Sequence, residues 1–133
     1  MANDVATDEI ISRYVFSGRH IRKTDFSVKP AAFMPHRGET SVFRVDGLSN
    51  EEVWHIGLHF VGSTRREVLK GRADLQVADV HAIKLKVEPD ITPHPRHANI
   101  IEWPEEKHEQ KMLAVRLANV AATYPPPGEP VLA

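Results

Sequence analysis

Ten prolines divide this chain of 133 residues into short segments, and their positions limit where regular structure can form. A proline disfavours helical backbone in the residue before it and cannot donate a backbone hydrogen bond. Pro30 and Pro35 therefore predict an irregular arm over residues 26–38 rather than a helix. Pro89 predicts a turn into a stiff loop that carries two histidines, His94 and His97.

Prolines also mark where the last element begins and where the fold ends. Pro104 suits the first turn of a helix, where its missing N–H group is not needed. Three consecutive prolines from Pro125 cannot continue a helix, so we expect the fold to end near Tyr124. We therefore predict a flexible N-terminus over residues 1–9, one domain over residues 10–124 and a flexible proline-rich tail over residues 125–133.

Between these boundaries, the spacing of apolar residues predicts four strands and two helices. Residues 83–88 alternate apolar and charged side chains, which is typical of a strand with one buried face. We expect strands over residues 10–17, 40–45, 74–88 and 99–102, the third of them bent or split in two, and helices over residues 49–61 and 104–124. This ββαββα order predicts a single α+β domain with a small, mainly antiparallel sheet and two helices.

The first helix has the clearest predicted start. Ser49 and Glu52 have the spacing of a capping box, in which each side chain bonds a backbone N–H group at the helix start, and Leu48 and Val53 can pack across it. Gly57 inside the helix predicts that another part of the chain approaches closely. The expected apolar stripes are Trp54, Leu58 and Val61 in the first helix, and Leu113, Leu117, Val120 and Tyr124 in the second.

The composition restricts the class of protein. The chain has no cysteine, which excludes a disulfide scaffold, cysteine-ligated metal sites and thiol catalysis. Its N-terminal residues lack the basic and apolar regions of a signal peptide, and no apolar run approaches the roughly 18 residues of a membrane span. We therefore expect a soluble cytoplasmic protein that does not associate with membranes.

Charge is unevenly distributed although the net charge is only −1. Residues 12–44 hold seven lysines and arginines against two acids, a pattern that favours an anion-binding face. We expect this face to bind a phosphate-containing ligand, either RNA or a nucleotide. The candidate ligand-binding residues are Arg13, Arg19, His20, Lys29, Arg44, Arg96 and Asn99.

Histidine can both accept and donate a proton near neutral pH, so His97 and His94 are the candidate acid–base residues, with Tyr14 as a third catalytic candidate. Such groups would suffice for a metal-independent, ribonuclease-like activity without a cofactor. We expect the loop that carries the two histidines to face Tyr14 if the last strand pairs beside the first. The serines offer no G-x-S-x-G nucleophile motif, and no phosphate-binding P-loop is present.

Two other functions remain open at this point. In the first, the protein is a non-catalytic interaction module whose partner binds either the arm at Phe33 and Met34 or the proline-rich tail, unless Phe33 instead folds over the core. In the second, it is a histidine-ligated metalloprotein, since His94 and His97 are three residues apart and His55 and His59 are four apart. Each pair supplies only two ligands, so we expect no metal site.

Overall fold

The computed structural model describes residues 4–64, 68–92 and 94–127. They form a single α+β domain with an antiparallel sheet and two main helices, as the sequence predicts. The sheet has six strands, and a separate two-stranded sheet is also present. The strands are β1 (Ile10–Val15), β2 (Ile21–Arg22), β3 (Ser27–Val28), β4 (Thr40–Arg44), β5 (Gly71–Gln76), β6 (Lys86–Pro89), β7 (His97–Ile101) and β8 (Ala122–Tyr124). The α-helices are α1 (Asn50–His55), α2 (Val77–Ala82) and α3 (Lys107–Val120).

The large sheet has the strand order β6-β7-β4-β1-β5-β8, and all neighbours are antiparallel. Strand β4 therefore lies between β1 and β7. The small sheet is the β2–β3 hairpin, and its second strand lies at the start of the arm that the sequence predicts as irregular.

Each face of the large sheet packs against its own apolar layer, because successive side chains of a strand point to opposite faces. On one side, Ile11, Val42 and Ile100 belong to a cluster that includes Ala114 and Leu117 of α3. We call this side the α3 face. The other side, the α1 face, carries a second cluster comprising Tyr14, Phe16, Phe43, Val45, Val53, Trp54, Ile56 and Leu69.

Helix α1 begins as the sequence predicts. The Ser49 side chain accepts a hydrogen bond from the Glu52 backbone, and the Glu52 side chain accepts one from the Ser49 backbone. The helix then widens into a π-helix over Ile56–Val61. The predicted stripe is wrong at Leu58, which is 43% exposed, because the wider π turn rotates it away from the core.

A short helix interrupts the segment predicted as a strand over residues 74–88. Strand β5 ends at Gln76, and α2 follows at once, burying Val77 and Val80 completely. The spacing of these two valines is helical, which the prediction of one bent strand or two short strands overlooks. The alternation of buried Leu85 and Val87 with exposed charged neighbours is confirmed around β6.

The last helix is shorter than predicted at both ends. It begins at Lys107, where the Glu106 side chain accepts a hydrogen bond from the Glu109 backbone, and it ends at Val120. The chain then extends into β8, which pairs with β5. Val120 and Tyr124 are consequently 52% and 44% exposed, so neither belongs to a core stripe.

The proline-bounded arm folds back onto the domain. Residues Pro30–Phe33 form one 3₁₀ turn, and the Phe33 side chain is 0% exposed within the cluster on the α3 face. The Thr40 hydroxyl donates to the Phe33 carbonyl at 2.8 Å and fixes this turn to β4. Phe33 therefore closes the core, and only Met34 of the pair is partly exposed to a partner.

Candidate acid–base site

His97, the first residue of β7, bonds to polar groups through both nitrogens of its ring. Its Nε2 atom lies 2.6 Å from the Ser41 hydroxyl oxygen on β4. Its Nδ1 atom lies 3.0 Å from the Asp90 backbone carbonyl oxygen and 3.5 Å from the Asp90 carboxylate. A serine, a histidine and an aspartate thus form a continuous chain of polar contacts.

The partners of His97 determine which nitrogen carries the proton in the neutral ring. A carbonyl oxygen can only accept a hydrogen bond, so Nδ1 must donate to Asp90. Nε2 is then the unprotonated nitrogen and accepts from the Ser41 O–H group. This tautomer is the one in which a histidine can remove a proton from a serine.

The strand register brings these groups together. Ser41 is directly opposite Asn99 and Phe43 is directly opposite His97, so all four side chains lie on the α1 face. Asn99 donates to the Asp90 carboxylate at 3.3 Å, and the Asp90 backbone N–H donates to the His97 carbonyl at 2.9 Å. The turn between β6 and β7 therefore holds Asp90 against the imidazole.

Access to this site is from one side. His97 is 8% exposed, whereas the Asp90 side chain is 43% exposed and Ser41 is half-buried. Lys86 and Glu88 lie on the same face, in register with Ile101 and Asn99, and both are exposed. The site is a polar strip of the sheet that solvent reaches at Ser41 and Asp90.

Aromatic rings pack against the other side of His97. The Phe43 ring centroid lies 5.2 Å from the His97 ring, 5.6 Å from the His94 ring and 6.0 Å from the Phe60 ring. The Phe60 and His94 rings are themselves 4.6 Å apart. The π-helix supplies Phe60 to this group, and π-helical turns are frequent at functional sites.

His94 lies beside the site, and its Nδ1 atom accepts a hydrogen bond, whereas Nδ1 of His97 donates one. Its Nδ1 atom accepts the backbone N–H of Arg96 at 3.0 Å, which requires that nitrogen to be unprotonated. Burial against the aromatic rings lowers the pKa of His94, and the positive charges of Arg96 and of protonated His97 lower it further. The neutral ring is therefore the favoured form of His94.

Tyr14 lies in the core on the α1 face. Its hydroxyl donates to the Val53 carbonyl, and its ring centroid is 5.6 Å from that of Phe43. Burial raises the pKa of Tyr14 above its ordinary value. The Tyr14 ring packs beneath Phe43, and its hydroxyl proton is used in the hydrogen bond to the backbone of α1.

The structure does not bring the predicted basic residues to His97. Arg13 is directly opposite Ala73 and so lies on the α3 face, where it donates to the Ala32 and Ser41 carbonyls at 3.0 and 2.9 Å. Strand β4 separates β1 from β7, so the first and last predicted strands are not neighbours. Arg13, Tyr14 and His20 instead line a cavity of about 60 Å³, with Arg19 exposed and Lys29 half-buried nearby in the chain.

Arg44 and Arg96 form a separate group at the other end of β4. Arg44 donates to both carboxylate oxygens of Glu9, at 2.9 and 2.7 Å. Arg96 donates to the Arg44 carbonyl at 3.2 Å. These two arginines, which the sequence predicts as ligand-binding residues, therefore lie together, where Arg44 is directly opposite Ile11 of β1.

The two histidine pairs are the potential metal ligands that the sequence offers. The His55 and His59 rings are exposed, with centroids 4.5 Å apart. Within residues 4–64, 68–92 and 94–127, no three or more histidine, aspartate or glutamate side chains are grouped so that they could hold a metal ion. In the same residues, no helix has the length and apolar content needed to span a bilayer.

Searches against protein-family models, curated proteins and solved structures find no match to this chain. The function must therefore be inferred from the geometry. The sequence singles out His97, but Ser41 and Asp90 are not among the predicted site residues. Their contribution depends on the pairing of β4 with β7 and on the turn at Asp90, neither of which is visible as a local motif.

Proposed function

We propose that the protein is a small hydrolase in which His97 activates the hydroxyl of Ser41 for attack on an ester. The observation that supports this proposal is the Ser41 Oγ to His97 Nε2 contact of 2.6 Å, combined with an Nδ1 atom held by Asp90. A nucleophile bonded to a base, and a base oriented by a third group, is the arrangement that covalent acyl transfer needs.

Each residue has a defined role in this reaction. Ser41 Oγ attacks the ester carbonyl carbon while its proton passes to His97 Nε2, and His97 then gives that proton to the departing alcohol. Water attacks the resulting acyl-serine in a second step with the same proton transfers, which releases the acid and restores Ser41. Asp90 holds the ring and stabilises the imidazolium that forms twice in each cycle, while Asn99 positions Asp90.

An ester suits this site better than a phosphate group. The charged side chains along the strip are Lys86, Glu88 and Asp90, one positive and two negative. Phosphoryl transfer needs cations around the transferring oxygens, whereas a neutral ester carries no charge that these acids would repel. We therefore place an uncharged carboxylic ester at Ser41.

The test is hydrolysis of p-nitrophenyl acetate, followed by labelling with a fluorophosphonate and mass mapping of the labelled serine. Ser41→Ala and His97→Gln should each lower kcat/KM by about 100-fold or more, the contribution expected of a nucleophile or a general base. Ser27→Ala, in the separate β2–β3 sheet, is the matched control and should leave hydrolysis unchanged. Circular dichroism checks that each variant is folded.

Two results would overturn the proposal. The first is hydrolysis by a folded Ser41→Ala protein at the rate of the unsubstituted protein. The second is a label on serines other than Ser41. Either result would mean that the Ser41–His97 hydrogen bond stabilises the fold and has no catalytic role.

A second candidate is the binding of RNA or a nucleotide through its phosphate groups. It is supported by the cavity lined by Arg13, Tyr14 and His20, which lies within the segment richest in basic residues. Fluorescence anisotropy with a labelled single-stranded RNA, at about 50 and 200 mM salt, tests it because phosphate contacts weaken steeply with salt. Arg19→Ala should weaken binding and reduce the salt dependence, whereas Arg116→Ala on α3 should not. Equal binding by both variants would exclude this surface.

A further inference from the structure

A second recess lies at the end of the sheet where β1 begins. It has a volume of about 550 Å³, within the range of small-molecule sites. It is formed by the segment before β1, the end of β4 and the loop before β7. The residues that line it are Ala6, Asp8, Glu9, Arg44, Asp46, Pro95 and Arg96.

One ion pair forms the fixed part of this recess. The two carboxylate oxygens of Glu9 accept from Nε and an Nη atom of Arg44 at 2.9 and 2.7 Å, and both side chains are largely buried. The Ala6 backbone N–H also donates to Glu9 at 2.8 Å. Hydrogen bonding from Arg44 lowers the pKa of Glu9, so this carboxylate remains ionised and committed to its partner near neutral pH.

Other charged groups of the recess have capacity to bind a ligand. Arg96 is half-buried and uses one Nη atom to donate to the Arg44 carbonyl, and no carboxylate in the described part of the chain lies within ion-pair distance of it. Asp8 is exposed and bonds no side chain or backbone group of the described residues. Asp46 accepts one bond, from the Ile10 backbone at 3.3 Å.

These uncommitted groups define the charge of a suitable ligand. A polyanion would meet Asp8, Glu9 and Asp46, which exceed the two arginines by one charge. A simple cation would leave the Arg96 guanidinium without a partner. A molecule with one ammonium and one carboxylate group satisfies both sides, and a guanidinium can bind a carboxylate through two parallel hydrogen bonds.

We propose that this recess binds a small zwitterion of the amino-acid or short-peptide class, with its carboxylate on Arg96 and its ammonium group near Asp8 and Asp46. Neither the recess nor its ligand depends on the ester hydrolysis proposed for Ser41. The backbone N–H of Arg96 donates to His94 Nδ1, so the resonances of His94 should report a ligand at Arg96.

Backbone amide and imidazole NMR spectra of the full chain, titrated with glycylglycine, test the proposal. The matched probes are N-acetylglycine, which keeps only the carboxylate, and glycinamide, which keeps only the ammonium group. Glycylglycine should bind with a Kd of about 1 mM or tighter, as expected for a ligand of this size, and shift the signals of Arg96 and His94. Each singly charged probe should bind at least about tenfold more weakly, since one charged contact is lost.

Substitutions locate the site independently of the probes. Arg96→Gln and Asp8→Asn should each weaken glycylglycine binding by about tenfold, which is the loss of one charge-assisted contact. Lys86→Gln, on edge strand β6 where Lys86 is opposite Ile101 at the far end of β7, is the control and should leave the affinity unchanged. The proposal is overturned if glycylglycine shifts no signal in the recess, if either singly charged probe binds equally well, or if both substitutions leave its affinity unchanged.

Discussion

The ring of Tyr14 lies against residue 57 so closely that only glycine fits there. A Cβ atom at Gly57 would stand 2.6 Å from two carbon atoms of that ring and 3.2 Å from Leu69. The Tyr14 ring cannot easily move away, because its hydroxyl is bonded to the Val53 carbonyl. The contact therefore fixes the distance between the π-helix and the sheet.

Gly57→Ala should destabilise the fold for this reason. We expect the free energy of unfolding to fall by about 2 kcal/mol, the usual cost of inserting a methyl group into a packed core. Urea denaturation measures the change. Gly18→Ala is the control, since a Cβ atom there meets nothing within 4 Å, and it should be neutral or slightly stabilising. Equal stability of the two variants would show that the ring can move aside.

His94 should make stability depend on pH. Its pKa in the folded protein is lowered below the ordinary value of 6.5, chiefly by burial, so the unfolded chain binds this proton more readily. The contribution of neutral His94 to the free energy of unfolding is then complete above pH 6.5 and decreases as the pH falls below that value.

Urea denaturation of the unsubstituted protein and of His94→Gln, from about pH 5 to about pH 8, tests this dependence. The variant should lose less stability than the unsubstituted protein as the pH falls through that range. His108→Gln, on the exposed start of α3, is the control and should keep the original pH profile. Parallel profiles for all three proteins would contradict the prediction.

Residue type and spacing identify some members of the candidate site and not others. His97 can be selected from the sequence because histidine titrates near neutral pH. Gly57 can be selected because glycine is unfavourable inside a helix and so indicates a close contact. Ser41 has no such signal, since a serine in a strand is ordinary. Its importance comes from lying beside β7, which only the three-dimensional pairing reveals.

At the scale of elements, the first helix shows what a local pattern can and cannot predict. The capping box of Ser49 and Glu52 predicts its start correctly, because the bonds involve residues only three positions apart. The π-helix that follows has no comparable local signal, and it decides that Phe60 rather than Leu58 contacts Phe43. The prediction also lacks α2, although the spacing of Val77 and Val80 is helical, and it lacks β8, whose limits are set by its pairing with β5.

Ser49→Ala should destabilise the protein through this cap. The Glu52 backbone N–H group would lose its acceptor, at an expected cost of about 1 kcal/mol in the free energy of unfolding. Thermal unfolding followed by circular dichroism measures the loss. Thr24→Ala, on an exposed loop, is the control and should change stability by less than about 0.5 kcal/mol. A Ser49→Ala protein as stable as this control would show that the cap contributes nothing.

At the scale of the whole molecule, the sheet distributes over different places the basic and histidine side chains that the sequence predicts as one site. Arg13 and Arg44 lie on the α3 side of their strands, Arg96 bonds Arg44 at the end of β4, and His97 lies on the α1 face. A count of charges predicts a basic segment correctly but cannot predict which face each side chain takes. The α+β class follows from the order of elements, whereas the composition of each site follows from the strand order.

The most direct test of the account is the protonation state of His97, read from the ¹⁵N chemical shifts of its two ring nitrogens above pH 7. The Asp90 carbonyl requires a proton on Nδ1, so in the neutral ring Nε2 is left to accept a hydrogen bond from the Ser41 hydroxyl. We expect Nδ1 to give the shift of a protonated nitrogen and Nε2 that of an unprotonated one. The opposite tautomer, with Nε2 donating to Ser41, would contradict the account, because His97 could not then act as the base.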